Sequence, residues 1–261
     1  MAWGPLGTQF CLELAFGVLL GLCLIPKAPL GLFFFRLMGT TAVVPLLAAG
    51  LLPPLYSGGA WSDPTTVAAL VAIASFPLLV GPVRTGTRFL GLIWATVACG
   101  AALVFIVASS TAVEGPAAIA LGAASAMATG TVAGGVGLAM VVGHWYLTVP
   151  QLPISTLARL NRFTIVAMLV SCVLVGLSCG LYAEQFELAD KPLFSSFGLF
   201  YLTARVAVGL AVPLLFAWMT AGSLAHQNTR SATGILYAST VLVLIGTAVS
   251  LSLQDKYGVP L

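Results

Sequence analysis

Apolar residues run along this chain in long unbroken stretches, not in the short alternating segments of a β-barrel. Eight stretches reach the length of about 20 residues that a helix needs to cross a hydrocarbon layer of about 30 Å. They cover about 8–25, 30–52, 65–82, 88–109, 116–143, 161–183, 196–221 and 233–254. The connections between them are too short to fold separately. The pattern predicts an all-α fold: a polytopic transmembrane helical bundle of eight spans, forming a single integral-membrane domain over 1–261. Membrane lipid is its surroundings, and any chemistry happens in the membrane, at its surface or on a partner.

Composition supports this reading. Hydrophobic residues make up 60% of the chain and charged residues 7%, against about 25% charged in a soluble domain. The net charge of +3 is spread singly between apolar runs, with no basic cluster or tail, so no nucleic-acid partner is expected. The N-terminal run lacks a positive leader and contains Glu13, so it reads as a retained first helix and not a signal peptide.

Loop charge predicts orientation. Lys27, Arg84, Arg88, Arg159, Arg162 and Arg230 follow spans 1, 3, 5 and 7. Asp63, Glu114, Glu184, Glu187, Asp190 and Asp255, with Lys191 and Lys256, fall on the other side. Arginine and lysine stay cytoplasmic, so both termini are predicted outside (periplasmic), with the protein in a bacterial cytoplasmic (inner) membrane.

Several features shape the interior. Pro45, Pro77 and Pro213 fall within spans 2, 3 and 7, where each removes a backbone hydrogen bond and is expected to kink its helix. Span 5 is rich in small residues, and Gly130, Gly134 and Gly137 form a stripe that lets another backbone approach. That stripe suits either a central helix or a homodimer contact. The cysteines, Cys11, Cys23, Cys99, Cys172 and Cys179, lie in apolar runs without a CxxC pair and read as small buried hydrophobes.

Three ionisable residues fall inside spans: Glu13, Arg36 and Arg205. A charge at membrane depth costs several kcal/mol unless paired or hydrated. Arg36 can snorkel to the nearer surface. Arg205 lies deeper, and a height difference of about 6 Å from Glu13 is within arginine reach, so an intramembrane Glu13–Arg205 ion pair is expected.

The stretch "VVGHWYLTVPQLP" ends span 5. His144, Trp145 and Tyr146, with Gln151, His226 beyond span 7 and Arg36, are expected near one cytoplasmic mouth. An aromatic belt with a helix-terminal histidine explains them; so does a quinone site, in which histidine, tyrosine and arginine donate to the two carbonyls. A single b-type haem would need His144 and His226 as axial ligands, and their positions at the membrane edge argue against it. No P-loop, HExxH, GxSxG or paired-aspartate motif is present, so neither a catalytic residue nor a metal site is expected.

In helix number and size, and in the runs "RVAVGLAVPLLF" and "SATGILYASTVLVLIG", the chain resembles the eight-helix membrane subunits of the polysulfide and dimethylsulfoxide reductases. That resemblance implies a non-catalytic subunit of a respiratory or electron-transfer complex, anchoring partner subunits and binding quinone. No site residue carries across from it. The "GHWYL" segment is similar to one in other bacterial membrane proteins and implies no activity. Two alternatives stand beside this reading: a small secondary transporter or channel built around Arg205, Glu13 and the kinked spans, and a structural subunit that binds lipid or pigment.

Overall fold

The computed structural model describes residues 3–26, 28–59, 61–111, 115–149, 152–189, 192–259 and 261. Lys27, Glu114, Gln151, Asp190 and Lys191 lie outside the described residues. The described elements are helices: α1 (Trp3–Leu24), α2 (Gly31–Tyr56), α3 (Pro64–Ile73), α4 (Phe76–Val80), α5 (Thr85–Ser110), α6 (Pro116–Thr148), α7 (Ser155–Leu181), α8 (Ala183–Leu188), α9 (Ser196–Ala225) and α10 (Thr229–Tyr257). Seven of them, α1, α2, α5, α6, α7, α9 and α10, are long and apolar enough to cross a membrane. The chain is a multi-pass integral membrane protein.

The third predicted span is not one helix. Pro77 has no N–H for the carbonyl of Ile73. Ahead of it the backbone tightens, with the Ser75 N–H and Oγ both donating to Ala72 O, at 3.2 and 2.7 Å. Helix α4 then starts afresh at Phe76. Val71 O, deprived of the Ser75 N–H, accepts the indole N–H of Trp94 from α5 at 3.3 Å. The α3–α4 pair still runs antiparallel along α2: Gly50 faces Leu70, Gly39 faces Leu79, and Arg36 Nε donates to Val80 O at 2.8 Å.

The other prolines act differently. Helix α2 continues through Pro45, Pro53 and Pro54, as membrane helices tolerate. In α9, residues Ala204–Ala211 are wound as a π-helix, and the Val212 N–H reaches back five residues to Ala207 O. Pro213 follows at once. Its ring would crowd the carbonyl four residues back in a regular helix, and the wider π turn relieves that.

Helix α6 occupies the centre. Its most apolar window is 78% buried inside the bundle, against 22% for α9 on the perimeter. Gly17 of α1 meets Gly130 and Gly134 so closely that a Cβ on any of the three would overlap the facing backbone. The GxxxG spacing thus serves a crossing within one chain. Gly137 lies off it, with nothing within 4 Å of where its Cβ would stand. Gly209 and Gly246 make a second backbone contact, between α9 and α10.

The antiparallel packing sorts charge by end. Arg36 and Arg88 reach the carbonyls of Val80 and Gly81, and Arg159 that of Leu24, at the end that also holds Arg84, Arg162 and Arg230. At the opposite end α1 meets α10 through Gln9 and Gln254, and the Phe186 and Tyr257 rings pack edge to face. Asp63, Glu184, Glu187 and Asp255 belong to this acidic end.

Candidate functional site

Arg205 is 1% exposed and Glu13 2%, so both charged side chains are inside the bundle. The π turn directs Arg205 inward from the perimeter helix. Its Nη2 donates to Thr129 Oγ1 of α6 at 2.7 Å and to Ser171 Oγ of α7 at 3.0 Å, while Nε has no partner. Glu13 Oε1 accepts from Gln9 Nε2 at 2.9 Å, and Oε2 has no partner.

The expected Glu13–Arg205 pair is therefore not a salt bridge. Helix α1 packs on α2, α5 and α6, whereas α9 packs on α7 and α10, so Arg205 meets the hydroxyls of α6 and α7 first. The two charges remain within electrostatic reach. They are linked through α6, where Gly130 lies against the Glu13 backbone and the adjacent Thr129 takes the arginine hydrogen bond.

Hydrogen bonds lead from Glu13 to the acidic end. Gln9 and Gln254 exchange bonds in both directions, at 2.9 and 3.1 Å, and Gln254 also donates to Ser110 Oγ at 3.2 Å. Both amides line a cavity of about 440 Å³, whose wall includes Tyr56, Asp63, Ser110 and Asp255. A buried carboxyl group thus lies one amide layer below a cavity with polar groups in its wall. This arrangement can accept a proton on Glu13 and hold a fixed positive charge on Arg205.

At the arginine end the predicted residues share a level but not a site. Helix α6 runs on to Thr148, so His144, Trp145 and Tyr146 occupy its last turns and point apart. His144 Nδ1 lies 3.1 Å from Tyr237 Oη of α10, in an exposed pair. Trp145 stacks on Phe33 and meets Phe34 edge-on, with centroids at 5.8 and 5.4 Å. Tyr146 is buried and donates to Pro153 O. His226 Nδ1 faces Gly222 O of its own helix at 2.9 Å, and Arg36 is held by Val80 O. No hydrogen bond or ring contact joins the two histidines. Among the described residues no group of three or more His, Cys, Asp or Glu is placed to hold a metal ion.

Sequence reading singled out Glu13 and Arg205 but not Gln9, Gln254, Thr129 or Ser171. Gln9 was findable, since it lies four residues before Glu13 and so on the same helix face. Gln254 read as a helix end, and Thr129 and Ser171 look like any hydroxyl in an apolar run. No protein-family model, curated protein or solved structure matches this chain.

Proposed function

We propose that this chain is a small secondary carrier of the bacterial cytoplasmic membrane, crossing it eight times with both termini outside, and that the Arg205–Glu13 cluster is its working centre. One observation carries the reading. An arginine and a glutamate are buried in the same interior without a salt bridge, each with an unpartnered polar atom, and hydrogen bonds run from the glutamate to a cavity with polar groups in its wall. Buried charges kept only for packing normally satisfy each other, whereas intramembrane charges near broken helices mark solute pathways. The π turn beside Arg205 and the break between α3 and α4 supply such irregular backbone. Alternating loop charge supports the orientation, and the antiparallel course of α3–α4 supports the eighth crossing. The test is solute-evoked current from proteoliposomes on a supported membrane, using a panel of inorganic ions, organic acids and amino acids. A current present in the wild type and lost in Arg205→Ala is expected; absence of current across the panel sinks the reading.

A second reading, a quinone-binding subunit that anchors a respiratory complex, is favoured by the exposed His144–Tyr237 pair, which offers two hydrogen-bonding groups on the apolar perimeter. Quinone retained by the purified protein, and lost in His144→Ala, would favour it over transport.

A further inference from the structure

We propose that Glu13 is a proton-loading site reached from the acidic end, through the cavity lined by α1, α2, α3, α5 and α10, with the Gln9–Gln254 amide pair as its gate. This rests on the carrier reading above and names the coupling ion and its side of access.

The amide pair is fully committed. The two Gln9 N–H groups go to Glu13 and Gln254, and the two Gln254 N–H groups go to Gln9 and Ser110. With every donor used, the pair is a closed layer between the cavity and the carboxylate. Gln9 holds Oε1 as an acceptor, which leaves Oε2 as the open position for a proton. Loading is simple in balance: once the amide pair parts, a hydronium from the cavity reaches Glu13 Oε2, gives up its proton and becomes water. Loading adds one positive charge to the cluster, because Arg205 keeps its own.

The groups around Glu13 agree with an acid supplied from one side. Arg205 of α9 faces it electrostatically. Helix α5 presents the Cys99 thiol, which is bonded to Leu12 O, and α6 presents the Gly130 backbone. Asp63, Asp255 and Tyr56 stand at the cavity wall, and the carboxylates there raise the local concentration of cations. Toward the arginine end, α1 continues into Leu19 and Leu22, both buried.

The experiment is infrared difference spectroscopy of the full chain in liposomes after an acid jump, read at the carboxyl C=O stretch. A protonation band present in the wild type and absent in Glu13→Gln is expected. Ser109→Trp, which puts an indole into the cavity, should slow the appearance of that band, and Ser109→Ala should leave its rate unchanged. A band that persists in Glu13→Gln, or a rate unaltered by Ser109→Trp, overturns the proposal. Solute current without a Glu13 band removes this inference and leaves the carrier reading. A Glu13 band slowed by Ser109→Trp, with no current for any solute, supports this inference and removes the carrier.

Discussion

Gly17 and Gly137 look alike in the sequence, each a glycine in an apolar helix, yet their neighbours differ. A methyl group on Gly17 would overlap the carbonyl of Gly130, whereas one on Gly137 would meet open space. Gly17→Ala is therefore expected to cost about 1–3 kcal/mol through overpacking, and Gly137→Ala to stay within about 0.5 kcal/mol; thermal unfolding in detergent measures both. The same scale separates the buried charges. Arg205→Ala leaves Glu13 uncompensated in the interior and should cost several kcal/mol. Glu13→Gln retains a carbonyl to accept from Gln9 and should cost less, read in the same unfolding assay.

Among the helices, irregularity has local causes that neighbours repair. The break at Pro77 frees Val71 O, and Trp94 satisfies it from α5. Trp94→Phe is expected to cost about 1 kcal/mol. In a Pro77→Ala background the same change should cost nearly nothing, because a continuous helix supplies its own donor; a double-mutant cycle reads the difference. Asn161 joins α7 to the perimeter helix α9 by donating to Ala217 O at 2.8 Å. Its replacement by Leu should cost about 0.6 kcal/mol, the average for such bonds in membrane helices.

For the whole molecule, the segregation of arginine to one end and acid to the other leads to an expected orientation. A phosphatase reporter fused after Leu261 should be active outside, and one inserted between α4 and α5 should be silent. An active reporter at the α4–α5 connection would mean that α3–α4 does not cross, since α3 and α4 are each shorter than a full-length span.

The apolar runs alone determined that this is a helical membrane protein and where each long helix lies, because burying a backbone in lipid demands continuous hydrogen bonding within each segment. Charge along the chain determined the expected orientation, and the rarity of intramembrane charge singled out Glu13 and Arg205. Tertiary structure decided the rest. Whether Pro45, Pro77 or Pro213 interrupts its helix was decided in the packed bundle, where α2 runs on through Pro45, α3 and α4 part ahead of Pro77, and a π turn precedes Pro213. Whether His144, Trp145, Tyr146, Arg36 and His226 met depended on helix rotation, and α6 turns successive side chains toward different neighbours. The partners of Arg205 came from α6 and α7, far away in sequence, because packing places α9 against α7 and not against α1.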